Sequence, residues 1–305
     1  MITINGNFQV VDGVHVCVPD DQHAASFSEQ WDRWATVQVD STGYRCGYAG
    51  CVNTADYFGQ KTGLTPAAVQ GRTVLDAGCG TGRFSEVAAG YGANMVAVDL
   101  SRAVFHAARL GKDWPGEHAF IQASLERLPL PDSCIDVAFS IGVLHHTPNP
   151  SDAVREIARV LKLGGTFSGW VYESKPYAKM IQRTKWREFS TDPSNRKAIL
   201  ALAMEAPRLR DLFDAGRGLE AVEAIIRRVP AADMFRWTDP PLVRQIVGIS
   251  GSKNDDECRL DSFDWMTPQH QLFFSWDDWN AILEEAGFTG AQSRKFPQSW
   301  WCVKR

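Results

Sequence analysis

Between Arg72 and Tyr172 short apolar runs alternate with amphipathic stretches, and this alternation is the strongest structural signal in the chain. Thr73–Asp76, Asn94–Asp99, Ala119–Gln122, Ile135–Ser140 and Thr166–Tyr172 read as strands, with helices over Phe84–Tyr91 and Ser101–Leu110. Asn149 and Pro150 supply an N-cap and a first-turn proline for a third helix bearing Val154, Ile157, Ala158 and Leu161, which Gly164-Gly165 is expected to end. Strands alternating with helices at this spacing predict an α/β fold with a doubly wound parallel sheet.

The flanks carry different patterns. Asp12-Gly13 between Phe8–Val11 and Val14–Cys17 predicts a hairpin, because both turn positions need positive φ. A helix is expected over Ala24–Val37, where Phe27, Trp31 and Trp34 fall at i, i+4 and i+7 and form one aromatic stripe. Residues 38–70 are rich in glycine and polar residues, with a short helix near Asn53–Gly59. In 174–270 the apolar positions Ile199, Leu202, Leu209, Leu212, Leu219, Val222, Ile225 and Ile226 recur at helical spacing, and Pro207, Pro230, Pro240 and Pro241 divide the segment. This reads as a helical cap inserted after the fifth strand. Ser275 with Asp278 opens a last helix that Gly287 closes, and Phe288–Phe296 and Ser299–Lys304 form a closing antiparallel pair. The expected divisions are 1–71 (hairpin and lid helices), 72–173 (the core), 174–270 (the cap) and 271–305 (elements completing the core).

Composition narrows the class. With 305 residues, 44% apolar and 22% charged, the chain has the makings of a full core. Its 32 basic and 36 acidic residues give a net charge of −4, which disfavours a dedicated nucleic-acid binder; Arg183–Arg187 is one local basic stretch. No apolar run approaches the roughly 18 residues that cross a bilayer, and Met1–Gly6 resembles no secretory leader. Seven cysteines without framework spacing suggest reduced thiols and a cytoplasmic setting. Cys46 and Cys51 are a close pair but lack partners for a zinc knuckle, so no metal is expected.

The chemistry gathers where the first strand ends. Val74-Leu75-Asp76 runs into Ala77-Gly78-Cys79-Gly80-Thr81-Gly82, a turn that lets a ligand lie against bare backbone at the carboxyl edge of the sheet. The spacing is not that of dinucleotide folds, and an acid precedes it. Asp76 would repel a pyrophosphate and suit a cation. Asp99 ends the second strand, where an acid can accept both ribose hydroxyls of a nucleoside. Together they describe a pocket for a nucleoside with a positive tail and no phosphate.

Val74–Gly82, Ala97-Val98-Asp99-Leu100-Ser101, Leu128-Pro129-Leu130-Pro131-Asp132, Asp136–His146 and Leu161-Lys162-Leu163-Gly164-Gly165 stand in the order found in class I S-adenosylmethionine-dependent methyltransferases. The chain resembles the small-molecule branch with a Leu-His-His signature, densely over 72–172 and more loosely over Phe27–Lys61 and Asp264–Phe288. The resemblance implies a Rossmann-like sheet of seven strands, the last antiparallel, with the helical cap and the hairpin and helix lid added to it. It implies S-adenosylmethionine as cofactor. Asp76, Ala77, Gly78, Cys79 and Gly80 would surround its methionine part, Asp99 its ribose and Leu100 its adenine. Ser124, where relatives carry an acid, and the backbone of Leu125 would meet the adenine amine, and Ser140 would floor the sulfonium.

A sulfonium methyl is already activated, so the protein must align a nucleophile and exclude water. His145 and His146, just beyond the fourth strand, are the candidate bases for an O- or N-acceptor. Trp31, Trp34, Tyr172 and His270 are candidate substrate contacts, and Arg33 or Arg45 would meet the donor carboxylate. The partner is a small molecule such as a secondary metabolite or glycan, with homo-oligomerisation left open. The alternative is a non-catalytic protein that holds S-adenosylmethionine or S-adenosylhomocysteine. Of 11 tryptophans only Trp114 and Trp170 fall in 72–172. An aromatic roof over the acceptor, from 27–34 and from the insert, is therefore expected, favouring an apolar or ring-shaped substrate.

Overall fold

The computed structural model describes residues 3–18, 24–45, 53–174, 184–293 and 298–305. In chain order its elements are β1 (Gln9–Val11), β2 (Val14–Val16), α1 (Ala25–Trp34), α2 (Thr54–Thr62), α3 (Pro66–Val69), β3 (Thr73–Ala77) and α4 (Arg83–Gly90). There follow β4 (Asn94–Asp99), α5 (Ala103–Leu110), β5 (His118–Gln122), β6 (Ile135–Ile141), α6 (Pro150–Val160) and β7 (Leu161–Trp170). Next come α7 (Lys185–Thr191), α8 (Arg196–Met204), α9 (Ala206–Asp214), α10 (Gly218–Arg228), α11 (Pro240–Val247) and α12 (Asp255–Met266). The chain closes with α13 (Trp276–Glu285), β8 (Phe288–Ser293) and β9 (Ser299–Lys304).

The strands form one sheet in the order β1-β2-β5-β4-β3-β6-β7-β9-β8. Strands β2 to β7 run parallel to their sheet neighbours among themselves, and β9 is antiparallel to both β7 and β8. The seven expected strands are present with the expected antiparallel member, but the sheet has nine. Asp12 and Gly13 take φ of 49° and 83°, as the hairpin turn requires. The hairpin then docks β2 against β5, with Val14 opposite Phe120, instead of standing apart as part of a lid. The open edge of β5 explains this: its unpaired backbone groups are satisfied by a further strand.

The core strands are buried on both faces, as parallel strands must be. Leu75, Val96, Ile121 and Ala138 meet α6 and α13 on one face, through Val154, Ile157, Trp279 and Leu283. Val74, Met95, Val137 and Phe139 meet Phe58, Val69, Ala88 and Ala89 of α2, α3 and α4 on the other. Helix α6 has the expected start at Pro150, though Asn149 makes no side-chain cap, and it ends at Val160. Gly164-Gly165 therefore lies inside β7 and does not end the helix. Ser275 caps α13 by accepting from the Asp278 backbone amide. In the closing pair, residues 294–297 lie outside the described residues, as do Cys46, Cys51 and Arg183.

Two compact units are present. One contains the sheet and its helices; the other contains the described residues of 36–51 and 176–269. Residues 36–45 thus fold with the inserted helices, whereas the sequence reading grouped them with the N-terminal segment. The prolines of the insert begin helices: Pro207 lies in the first turn of α9, Pro230 in that of a 3-10 helix, and Pro240-Pro241 start α11. Tyr44 and Ser252 hydroxyls donate to the carboxylate of the buried Glu257 within this unit. Arg187 donates to the carbonyls of Trp265 and Met266, the last residues of α12, and of Pro268 just past it. Its charge serves a helix terminus, not a basic patch.

Gly169 fixes the spacing of the sheet's central end. A Cβ there would stand 2.0 Å from the Ser140 carbonyl oxygen and 2.9 Å from the Trp300 ring. The backbone contact cannot be relieved by a rotamer change. Gly169→Ala is expected to cost about 1–3 kcal/mol, read as a lower urea midpoint with unchanged slope.

Candidate functional site

Strand order reverses at β3, which leaves a crevice at the carboxyl ends of β3 and β6 where open α/β sheets take ligands. The β3–α4 loop lines it. Gly78 has φ +93°, and a Cβ there would lie 2.4 Å from both Val143 methyls, so only glycine fits. The Gly78 and Cys79 amides donate to the Val98 carbonyl at 2.8 and 2.9 Å, which pins the loop to the end of β4. Ser140 is fully buried and donates to the Ala77 carbonyl at 2.7 Å. It braces β6 against β3.

The two acids differ. Asp76 is 2% exposed and accepts from Ser85 Oγ at 2.7 Å. Burial pushes its pKa up to about 7, and the nearby charge of Asp99 adds to this. Asp99 keeps a partly exposed edge, although the surrounding protein still raises its pKa by desolvation. It accepts from the Gly80 amide at 2.8 Å, the Ser101 amide at 2.8 Å and Ser101 Oγ at 2.6 Å. A carboxylate offers about four acceptor positions, and three donors already meet this one. Cys79 is a buried thiol whose pKa is raised well above the ordinary value by burial and both acids. Leu100 is half-buried, with its carbonyl held by Gln122 Nε2 at 3.0 Å. Ser124 Oγ accepts from the Glu126 amide at 3.2 Å, and the Leu125 side chain belongs to the core.

Helix α1 covers the glycine loop. Trp31 lies over Gly80, 3.8 Å from where a Cβ would stand, and Phe27 lies 5.3 Å from the His146 ring. Ser28 Oγ accepts from the Arg102 amide at 2.9 Å, and Asp32 pairs with the Arg102 guanidinium, which fastens the helix to the start of α5. The aromatic stripe is only partly the buried face: Trp34 is buried, Phe27 and Trp31 are half-buried, and Ser26, Ser28 and Gln30 are buried beside them. Arg33 lies 6.0 Å from the Trp34 ring centre, and Arg45 donates to the Tyr44 carbonyl.

Ser26 Oγ and Gln30 Oε1 are buried with no hydrogen-bond partner among the described residues. Such groups are costly unless something polar meets them, so they fit a ligand with a polar, cationic end. They escaped sequence reading because they stand between the aromatic positions of the stripe. Among the described residues no group of His, Cys, Asp and Glu is arranged to hold a metal ion.

The two histidines lie in a 3-10 turn, Leu144–His146, directly after β6. His145 is fully buried, stacked on Tyr172 at 3.7 Å, and its Nδ1 accepts from the Tyr172 amide at 3.3 Å. A ring that accepts at Nδ1 carries its proton on Nε2. Burial, with the charges of His146 and Lys61, holds its pKa well below the ordinary value. His146 is its mirror: its Nδ1 stands 2.8 Å from the His270 carbonyl and donates to it, which leaves the Nε2 lone pair to accept a proton. His270 thus enters through its backbone. The His145 and His146 rings are 4.2 Å apart, and Tyr172 is 5.4 Å from His146.

Trp186 packs on Phe189 and Phe235 inside its own unit, Trp265 packs against Gly248, and Trp237 is 93% exposed. Trp279 and Trp300 are core, 4.9 Å apart.

Residues 75–168 match the family model described as a methyltransferase domain. The chain is 32% identical over 149 residues to a ubiquinone biosynthesis O-methyltransferase of Alkalilimnicola ehrlichii, covering 48% of this chain and 57% of that protein. It is 36% identical over 108 residues to a malonyl-[acyl-carrier protein] O-methyltransferase of Pectobacterium atrosepticum, covering 34% and 40%. A probable S-adenosylmethionine-dependent methyltransferase of Mycobacterium tuberculosis is 31% identical over 176 residues, covering 52% and 61%. The chain spans between 40% and 61% of the length of these relatives.

A cationic ligand seated against Asp76 must find it ionised. Below pH 7 the carboxyl is protonated, and binding then has to expel a proton. The affinity for S-adenosylhomocysteine is expected to fall as pH drops from 8 to 6, by up to about tenfold per unit below 7. Calorimetric titration across that range checks it, and Asp76→Asn is expected to flatten the profile.

Proposed function

We propose that this chain, which carries a class I S-adenosylmethionine-dependent methyltransferase domain over residues 75–168, transfers a methyl group to an oxygen or nitrogen of a small-molecule acceptor. The printed names of two relatives are those of O-methyltransferases, which favours oxygen. The observation that supports the reading is the contact of the glycine loop with the histidine turn: Val143, packed on Gly78, precedes the turn that carries His145 and His146.

When bound, S-adenosylmethionine supplies a methyl on a positively charged sulfur. Asp76, Ser26 and Gln30 offer polar partners to its amino-acid end, Asp99 accepts one ribose hydroxyl, and the half-buried Leu100 flanks the base. Phe27 and Trp31 exclude water over the loop, which keeps the nucleophile unsolvated. His146 Nε2 takes the acceptor proton while the His270 carbonyl holds the ring in the required tautomer. His145 Nε2–H orients the acceptor. Among the described residues no helix is long and apolar enough to cross a membrane. The net charge of −4 supports a small-molecule partner over a nucleic acid.

Methyl transfer from radiolabelled S-adenosylmethionine, across a panel of phenols, hydroxy acids and amines, tests this. With an acceptor in hand, His146→Ala is expected to lower kcat about 10²–10⁴-fold and to leave S-adenosylhomocysteine affinity unchanged. His145→Ala is expected to act mainly on the acceptor KM. Tight S-adenosylhomocysteine binding without transfer to any acceptor would instead identify a binding protein.

A further inference from the structure

Trp237, two residues past a 3-10 helix over Pro230–Phe235, is 93% exposed, and Leu219 at the start of α10 is 70% exposed. A tryptophan is seldom left in water, because seating its ring removes about 150–250 Å² of surface from solvent. The two side chains belong to one neighbourhood. Arg236 donates to Glu223 of α10 at 2.8 Å, and a Cβ on Gly218 would stand 2.6 Å from Pro240. Residues 236–240 therefore run beside the first half of α10. Around that helix Leu219, Glu220, Glu223 and Arg227 fall within about 100° of one another, while Ala221, Val222, Ala224, Ile225 and Ile226 are buried.

The same face of α10 borders a cleft. Helices α9 and α10 and the turn between them line about 550 Å³, with Leu212 and Ala215 beside Arg208, Arg217 and Arg227. Its two acids are engaged, Asp211 by Arg210 at 2.9 Å and Glu220 by Arg217 at 2.6 Å. Arg227 makes no ion pair or hydrogen bond among the described residues. Guanidinium groups beside apolar side chains suit the face of an aromatic ring. The helix is also complementary to itself in charge, with Glu220 in its first turn and Arg227 in its last. Turned end for end about an axis near Glu223, one copy of α10 sets its Glu220 opposite the Arg227 of a second copy. Glu223, nearest that axis, is already neutralised by Arg236.

We propose that this face of α10 is a two-fold interface between copies of the chain, with Trp237 of each copy seated over the arginines of the other's α9–α10 cleft. The interface goes beyond the methyl-transfer reading and does not rest on it.

Sedimentation equilibrium of the full chain tests it. Wild-type protein is expected to dimerise reversibly in the micromolar range. Trp237→Ala should weaken dimerisation by about tenfold or more with an unchanged circular-dichroism spectrum. Glu220→Arg and Arg227→Glu should each be monomeric alone, and an equimolar mixture of the two should dimerise again, which misfolded variants could not do. Wild-type protein that stays monomeric, a dimer that Trp237→Ala leaves intact, or a mixture that fails to re-pair overturns the proposal. Monomeric wild-type protein that binds phosphatidylcholine vesicles, with binding lost in Trp237→Ala, would assign the face to a lipid surface and overturn it as well.

Discussion

The functional end of the sheet depends on one steric constraint: Gly78 has no side chain, and Val143 occupies the space where one would be. That contact lets the loop after β3 and the loop after β6 touch. Ser140 secures the same seam by donating to the Ala77 carbonyl. The 3-10 turn with both histidines follows within three residues of Val143, so its position is inherited from the glycine. A methyl at 78 would push the turn away from the crevice and move the histidines without altering either of them.

Electrostatics follow from this packing. Asp76 and Asp99 are pressed together with little water, and burial raises the pKa of each. Across the seam, Lys61 Nζ lies 4.3 Å from the Tyr57 ring centre and 3.3 Å from that of Trp170. The acids favour a cation against them. Buried groups of this kind are expensive in the free protein, and the cost is offset by ligands that bring the matching charge. Binding and protonation are therefore linked at the acids, whereas burial holds the His145 pKa well below its ordinary value.

Much of this was legible in the sequence, for identifiable reasons. Strands β3 to β7 and the glycine loop follow from apolar runs interrupted by residues that only a tight turn needs. The Asp12-Gly13 turn was readable because its φ requirement is local, but the docking of β2 on β5 was not, since register with a distant strand leaves no local mark. The stripe of α1 misled in part: periodicity located Trp34, while the burial of Ser26 and Gln30 depends on what lies opposite the helix. Lys61 was invisible because nothing in Tyr57–Thr62 shows that a tryptophan more than a hundred residues later will cover it. Tryptophan counts misled too, since Trp186 and Trp279 serve the cores of their own units.

The His-His doublet shows why the insert matters to chemistry without supplying any of its side chains. The sequence offers two identical rings in succession, and the backbone makes them opposites: an amide from Tyr172 fixes one tautomer and the carbonyl of His270 fixes the other. These two residues belong to the segments where the chain leaves for the insert and returns from it. The segments are stitched together there, Ser174 to Phe274 at 2.8 Å, Phe274 to Tyr172 at 3.0 Å and Leu272 to the His145 carbonyl at 2.8 Å. Loop-closure entropy grows only logarithmically with length, so a long insertion at this point is tolerated provided its ends are pinned. The pins flank the backbone groups that assign the protons, the Tyr172 amide and the His270 carbonyl. The insert could vary in length and sequence without disturbing the histidines, whereas loosening the stitch by one hydrogen bond would free both rings to exchange tautomers and erase the division between donor and base.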